Sequence, residues 1–244
     1  MKMGIGIGWP NATYQSGEKP LTGLIPASTA FDIQEDSNYT IEFWIAGISP
    51  NVSTNKNTVF SFGNNQDLHS AFLVNTGTVA VPVWNFIYYA NYTEIFNVDV
   101  TTEIQSNIWN FFCIERVANF TWLGLNGFWI YGTGAGSPAI PSGGEPMYVG
   151  SDNIERVLNG SMNNFRWSNT GVYNTVGGTF PVPNADFNYG MDTLFLTIQG
   201  YNLNESLLDQ TLNGHNIIKG SNVSYNPSNP FGNNPTYAGN LTFF

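Results

Sequence analysis

The segment 108–132 constrains the fold most strongly. It contains two runs rich in aromatic and β-branched residues, 109–116 and 120–125, joined by the short polar link Ala118-Asn119. Such runs bounded by turn residues predict strands, and two of them joined by a short link predict a β-hairpin. Because the first run is apolar on both faces, we expect a central strand that is covered twice, with the sheet built outward from this hairpin.

The composition favours an all-β fold with many tight turns. Aromatic residues make up 15% of the 244 residues and there are 26 glycines, whereas charged residues reach only 10%. A solvated helical surface would need more Lys and Glu, and no segment shows a sustained helical spacing of apolar residues. We therefore expect helix to be a minor ingredient.

Charge and hydropathy argue against two classes of partner. The formal net charge is −10, with only seven Lys and Arg residues and no basic cluster, which disfavours nucleic acid because phosphates need cationic partners. No apolar run approaches the ~20 residues of a membrane span, and the Gly-interrupted N-terminus is not typical of a secretory signal. The sequence predicts no nucleic-acid partner, no membrane insertion and no signal peptide. The single cysteine, Cys113, is predicted to be a small buried apolar residue.

Five segments, taken in order, carry a family resemblance. Residues 39–45 (YTIEFWI) resemble the FTIEFWV strand of laminin-G-like domains of the concanavalin A-like jelly-roll superfamily. Residues 109–116 resemble the family's Trp-led strand that ends in Arg, and residues 125–127 resemble its YVNG-type strand end. Residues 147–150 resemble a strand that ends in Gly, and residues 158–167 resemble an Arg-containing strand.

The resemblance implies an all-β fold, a two-sheet antiparallel jelly-roll sandwich. The implied sandwich covers residues 21–183. An irregular N-terminal arm at 1–20 precedes it, and a C-terminal, strand-bearing extension at 184–244 follows it.

The extension resembles the opening of a second domain of the same kind. It carries an apolar run at 194–198, the segment LDQTLNGHNII at 208–218 and NPFG at 229–232, while residues 24–32 supply the piece that would follow. We hypothesise that a C-terminal strand completes a sandwich, either in its own chain or in an adjacent copy. This assembly strand would be Leu241, Thr242, Phe243 and Phe244. The alternative is a separate lobe without such pairing.

The sequence predicts a protein without catalytic residues. Glycosidases of this superfamily carry the pattern E-x-D-x-x-E on one strand, which places two carboxylates around a sugar bond. This spacing does not occur here. Glu35-Asp36 and the acids from Glu94 to Asp99 are interpreted as solvated loop residues. His69 and His215 lie far apart in the sequence and outside any ligand-spaced cluster, so no zinc site is predicted.

Calcium is the one cofactor that the sequence leaves open. Some family members bind Ca²⁺ at a loop rim, and hard oxygen ligands suit that ion. The candidates here are Asp152, Asn153 and Asp67. Turn-forming Asp and Asn residues explain the same loops without a metal.

An aromatic-rich stretch is a candidate glycan platform. Sugar binding needs exposed aromatic side chains beside amide or carboxylate groups, and the candidates are Trp84, Asn85, Tyr88, Tyr89 and Tyr92. Packing in the core of a sandwich is the alternative explanation for these aromatic residues.

Two functions are compatible with these observations. The first is a non-enzymatic virion structural protein, such as a minor capsid, decoration, tail or fibre component, which contacts other virion proteins or copies of itself. The Asn-rich, Lys-poor sequence with a GIGIGWP-type start resembles structural proteins of large marine phages and of algal or protist viruses. The second is a carbohydrate-binding laminin-G-like module for attachment to glycans. The first predicts a location on the virion surface, and a protein that is not viral would be extracellular.

Overall fold

Alternation of inward and outward side chains, interrupted by register shifts in several pairings, builds two packed antiparallel sheets. The computed structural model describes residues 6–8, 23–35, 37–50, 56–62, 68–105, 108–134, 145–152, 156, 158–174, 177–188, 190–197, 208–211, 213–215, 218–219, 224–226 and 230–231. Within these ranges the helical structure is one 3₁₀ turn, Thr29–Phe31.

Eight of the strands in the described ranges form one sheet. They are β1 Gly6–Gly8, β3 Tyr39–Ala46, β8 Asn110–Val117, β9 Phe120–Leu125, β10 Phe128–Thr133, β12 Ser161–Ser168, β13 Thr193–Thr197 and β15 Ser224–Asn226. Their order is β10-β9-β8-β3-β12-β1-β15, with β13 also paired to β12.

The other seven strands form the opposing sheet. They are β2 Gly23–Ile25, β4 Lys56–Phe62, β5 His69–Asn75, β6 Trp84–Ala90, β7 Thr93–Asp99, β11 Met147–Val149 and β14 Ile218–Lys219. Their order is β14-β2-β11-β4-β5-β6-β7. Every pairing in both sheets is antiparallel, which confirms the predicted two-sheet antiparallel sandwich.

Aromatic rings from both sheets meet in the core between them. On β3 the inward residues Ile41, Phe43 and Ile45 are fully buried. The Phe43 ring stacks at centroid distances of 5.5 Å on Phe112 of the same sheet and 6.4 Å on Phe86 of the opposing sheet. Such pairs each add about 0.5–1.5 kcal/mol beyond the burial of their area.

The outer face of the eight-stranded sheet is also covered. The segment 169–174 with 177–188, which we call the strap, lies across it and supplies Tyr173, Phe180 and Phe187 to a second apolar cluster with Phe111 and Cys113 of β8. The opposite face of β8 packs into the main core. The predicted central strand, covered on both faces, is therefore confirmed, and so is the buried apolar cysteine.

Strands from the beginning and from the later part of the chain, β1 and β13, share one edge of β12. Residues Gly6–Gly8 pair with the first half of β12, and Thr193–Thr197 pair with its second half. Strands from the predicted arm and from the predicted extension thus enter the sheet of their own chain. Residues 241–244, the predicted assembly strand, lie outside the described residues.

The LDQTLNGH segment of the extension docks on the same sandwich. The Asp209 carboxylate accepts hydrogen bonds from the backbone N–H groups of Leu196, Thr211 and His215, at 3.2, 3.0 and 2.9 Å. The His215 ring lies 4.9 Å from the ring of Phe31, whose side chain is buried in the main core. This segment therefore fixes the end of β13 against the core of its own chain.

The sequence misplaced one strand. Residues from Glu94 to Asp99 were expected in a loop, but Thr93–Asp99 form strand β7 at the edge of the seven-stranded sheet. Its apolar residues Ile95, Phe96 and Val98 pack inward or partly inward, while its polar residues face water. A half-exposed edge strand needs only a few apolar residues, so its signal in the sequence is weak.

Candidate functional site

The residues of β6 that were predicted to bind glycan divide into an inward-facing and an outward-facing set, as the alternation of a strand requires. Trp84 and Tyr88 point inward from β6 and are buried in the main core. Asn85 and Tyr89 point outward and are half-buried, because successive side chains on a strand face opposite sides. Tyr92 lies in the turn between β6 and β7 and is 57% exposed. The structure therefore leaves three of the five predicted residues accessible to a ligand.

The two buried members have structural roles. The Tyr88 hydroxyl lies 2.8 Å from the Tyr39 hydroxyl and 2.8 Å from Nε2 of His69, all inside the core. Burial lowers the pKa of His69 from 6.5 to about 3, so this imidazole is neutral in the folded protein. The backbone carbonyl of Trp84 accepts a hydrogen bond from the backbone N–H of Val100, and the backbone N–H of Trp84 donates a hydrogen bond to the Thr101 hydroxyl.

A polar row lies on the outer face of the β6–β7 hairpin. Asn85 Nδ2 donates to Asn97 Oδ1 at 2.9 Å, and the Tyr89 hydroxyl donates to Glu94 Oε2 at 3.0 Å. Ile87 lies between these two pairs and faces Asn97 in the register. We call this surface the hairpin platform; it consists of Asn85, Ile87, Tyr89, Glu94, Asn97 and Asp99.

The side chains of the platform are held in place before any ligand arrives. The amide oxygen of Asn85 accepts from the Thr76 hydroxyl at 3.4 Å while its nitrogen donates to Asn97. The Thr101 side chain and backbone N–H hold the pKa of Asp99 below its ordinary value, so this exposed carboxylate is ionised. Side chains fixed by such contacts lose less conformational entropy on binding.

The neighbouring strand β5 adds a buried ring, over which two cations from elsewhere in the chain lie. Phe72 of β5 packs edge-on against Tyr89 at 6.2 Å, and its ring lies beneath Lys56 Nζ and the Arg156 guanidinium, at 5.4 and 5.8 Å. Asp152 pairs with Arg156, with 3.5 Å between Nε and Oδ2. The outer face of the sheet thus continues from the platform to a patch of mixed charge.

The predicted calcium residues are only partly described. Asp152 is buried and accepts hydrogen bonds from the Arg156 backbone N–H and the Thr58 hydroxyl, whereas Asn153 and Asp67 lie outside the described residues. Over the described ranges, no group of three or more His, Cys, Asp or Glu residues is placed to hold a metal ion. The calcium site stays a prediction.

A second polar cluster, which the sequence analysis missed, lies beneath the strap. Glu42 of β3 is fully buried and accepts from Arg166 Nε at 2.6 Å and from the Tyr173 hydroxyl at 2.6 Å. Glu115 of β8 accepts the backbone N–H groups of Tyr173 and Asn174 at 2.7 and 3.2 Å. The only signal was the outward position of Glu42 in YTIEFWI, which by itself indicates a solvated residue.

This cluster holds the strap, and its two carboxylates have no access to solvent. Burial raises the pKa of Glu42, and the Arg166 guanidinium and the Tyr173 hydroxyl oppose that rise. Burial also raises the pKa of Glu115, against the hydrogen bonds from the strap. Two carboxylates on one sheet face would suit sugar hydrolysis in an open cleft, but here the strap occupies the space where a substrate would lie.

Comparison with known proteins yields structural similarity alone. No model of a protein family matches the chain, and no curated protein sequence matches it. A candidate carbohydrate-binding protein from Bacteroides ovatus superposes with a TM-score of 0.58 at 15% identity, covering 89% of this chain and 58% of that one. A heptameric SAP-like pentraxin from Limulus polyphemus gives 0.50 at 13% identity, covering 70% of this chain and 78% of that one. The fold is a two-sheet antiparallel jelly roll.

A further structure of this kind superposes less closely on the jelly roll. Domains LG4-5 of the mouse laminin alpha1 chain give a TM-score of 0.41 at 8% identity, covering 72% of this chain and 48% of that one. The present chain spans just over half the length of the Bacteroides ovatus protein. Within the ranges that the structure describes, no helix has the length and apolar character needed to cross a membrane.

Proposed function

We propose that this jelly roll is a glycan-binding module and that it binds sugar on the hairpin platform. The observation that carries the proposal is the exposed, internally hydrogen-bonded row of Asn85–Asn97 and Tyr89–Glu94 pairs beside the exposed Tyr92. Sites for sugars combine fixed hydrogen-bonding groups with an apolar or aromatic surface on which a ring can lie. The platform has both, because the half-buried Tyr89 and the exposed Tyr92 lie among and beside the polar pairs.

Its dimensions support an extended ligand. Asn85 and Tyr89 are four residues apart on one face of β6, which corresponds to about 13–14 Å along the strand. This length exceeds a single sugar ring, so we expect an oligosaccharide to contact both polar pairs. The similarity to the Bacteroides ovatus protein supports the same class of ligand at the level of the fold.

The proposal includes binding without catalysis. The two carboxylates nearest to the geometry of a sugar hydrolase, Glu42 and Glu115, are buried beneath the strap and engaged in holding it. The acids on the platform, Glu94 and Asp99, belong to an open edge strand that lacks a covering wall among the described residues. Within the described ranges, neither pair of acids therefore lines a cleft that encloses a sugar bond, as the two carboxylates of a sugar hydrolase do.

The virion role remains a prediction from the sequence. Its most specific element, the strand at residues 241–244, lies outside the described residues, and its predicted partners are other virion proteins or further copies of the chain. The location on a virion surface is likewise a prediction.

A glycan array with single-site variants tests the proposal. We expect the full chain to bind at least one oligosaccharide, and Asn97→Ala and Tyr92→Ala each to weaken that binding by about tenfold, the usual effect of losing a central contact. Phe128→Ala is the matched control, because Phe128 is a 60% exposed aromatic residue on β10 of the other sheet. Equal loss in all three variants, or binding unchanged in all three, would place the ligand elsewhere.

A further inference from the structure

The hairpin platform combines exposed carboxylates with a lack of cations. We propose that it selects uncharged, hydroxyl-rich glycans and rejects glycans that carry carboxylate, sulfate or phosphate groups. This inference rests on the proposed function and adds the chemical class of the ligand. Three observations carry it: the charge of the hairpin, its balance of donors and acceptors, and the engagement of the neighbouring cations.

The charge of the hairpin is negative along its whole length. Residues 84–99 contain no Lys or Arg, whereas Glu94 and Asp99 lie near the two ends of β7 and are both exposed. The hydrogen bonds from Thr101 keep Asp99 in its ionised form. An anionic group on a glycan that lies along the hairpin is therefore repelled at either end, and the net charge of −10 repels a polyanion before it arrives.

Hydrogen-bonding capacity leads to the same ligand class. The Tyr89 hydroxyl donates its hydrogen to Glu94, and Asn85 donates one amide hydrogen to Asn97. Each of the two carboxylates has two oxygens and no hydrogen to donate, so the platform presents more acceptors than donors. A sugar hydroxyl supplies the missing donor. A carboxylate or a sulfate supplies only further acceptors.

Two cations whose side chains are described on the same face, Lys56 and Arg156, are already engaged. Lys56 and Arg156 both lie over the Phe72 ring, one strand away from β6, and Arg156 also pairs with Asp152. An anionic glycan would have to exchange these contacts for its own. If it did so, binding would depend on Lys56 and Arg156 rather than on the hairpin platform. Loss of binding in variants of these two residues would therefore identify a site for anionic glycans.

The experiment compares each neutral polysaccharide with its own sulfated derivative. Dextran, mannan and xylan are immobilised beside sulfated forms of the same polymers, and binding of the full chain is measured at low and at high ionic strength. We expect each bound neutral polymer to bind about three- to tenfold more tightly than its sulfated form at about 20 mM salt, with the gap closing at about 500 mM because screening removes the repulsion.

Variants identify the groups responsible. The double variant Glu94→Gln/Asp99→Asn is expected to reduce the difference in affinity between the neutral and the sulfated polymer, because it binds the sulfated polymer more tightly. Glu35→Gln, at an exposed acid outside the hairpin, is expected to leave this difference unchanged. Sulfated polymers that bind as tightly as the neutral ones, with binding lost in Lys56→Ala or Arg156→Ala, would overturn the selectivity and leave a glycan-binding module. Binding to none of the polymers and to nothing on the array would overturn the proposed function itself.

Discussion

At the scale of single residues, His69 is the most unusual group in the core. It begins β5, is fully buried, and bonds through Nε2 to Tyr88, while Nδ1 has no hydrogen-bond partner among the described residues. Its surroundings are the rings of Phe62, at 5.4 Å, and Trp167, at 4.9 Å. An imidazole in this position is held neutral, because the charged form would lose its solvation.

This burial predicts sensitivity to acid. The pKa of His69 is about 3 in the folded state and 6.5 when unfolded. Between these two values, His69 binds a proton in the unfolded chain but not in the folded chain. Stability is complete above pH 6.5 and falls as the pH drops towards 3, by about 3 kcal/mol between pH 7 and pH 4. Denaturation with urea at several pH values measures this loss.

The matched variant for this measurement is His69→Gln. Glutamine keeps a polar partner for the Tyr88 hydroxyl but does not titrate. The raised pKa values of Glu42 and Glu115 act in the opposite direction, since they favour the folded state at low pH, so the difference between wild type and variant is the informative quantity. Parallel curves for the two proteins would show that His69 is not the cause.

Gly124 is required by a close approach rather than by its backbone angle. A Cβ atom there would lie 2.5 Å from Cε1 of Phe180, a ring that packs 4.4 Å from Trp129. We expect Gly124→Ala to lower the free energy of unfolding by about 1–3 kcal/mol through overpacking. In a Phe180→Ala background the same change should cost little, and a double-mutant cycle measures that coupling. Additive costs would mean that the ring moves aside.

At the scale of elements, the strap is the part held by buried charge. Arg166 reaches Glu42 through both Nε and Nη2, donates to the Asn188 carbonyl at 3.2 Å, and lies 4.6 Å from the Phe187 ring. Tyr173 adds its hydroxyl to the same carboxylate. One arginine therefore joins β12 to β3 and to the strap.

Removing this arginine should loosen the strap. Arg166→Met leaves the fully buried Glu42 carboxylate without its counter-ion, and we expect a loss of about 3–5 kcal/mol. The double variant Glu42→Leu/Arg166→Met should recover much of that loss, because it also removes the unpaired buried carboxylate of Glu42. Chemical denaturation gives both values, and proteolysis within 169–188 reports on the strap. A double variant no more stable than the single one would refute the argument from unpaired charge.

At the scale of the whole molecule, local periodicity explains which parts of the fold were predictable. The alternation at 39–45 and the two runs of the central hairpin each specify a strand by themselves, so β3, β8 and β9 followed from sequence. The strap has no repeating pattern of apolar residues, and its position depends on Phe180 filling the space above Gly124. The burial of Glu42 could not be foreseen, because it depends on that distant segment.

The same reasoning applies to the candidate site. The stretch from Trp84 to Tyr92 was found by its aromatic content, but composition does not show which side chains face inward. Asn97 and Glu94 were missed because β7 was taken for a loop, although they complete both polar pairs. Strand register brought these residues together, and register is a long-range property.

Five of the asparagines have a structural explanation. In the described part of the chain, seven non-glycine residues have positive φ, and five of them are asparagine: Asn91, Asn119, Asn126, Asn164 and Asn174. Asparagine tolerates this conformation better than most residues do. Two of these positions, Asn91 and Asn119, begin N-x-T triplets, and turn geometry accounts for them without modification.

The edge of β12 that is shared by β1 and β13 has a consequence for biosynthesis. A ribosome releases residues 6–8 long before residues 193–197, yet both lie along the same strand. The strand β14 that borders β2 appears later still. The described sheets are incomplete until residues 218–226 have been made, so the nascent chain carries open strand edges until then. Closure is a late event, and a stalled or shortened product would be left with edges that recruit other chains.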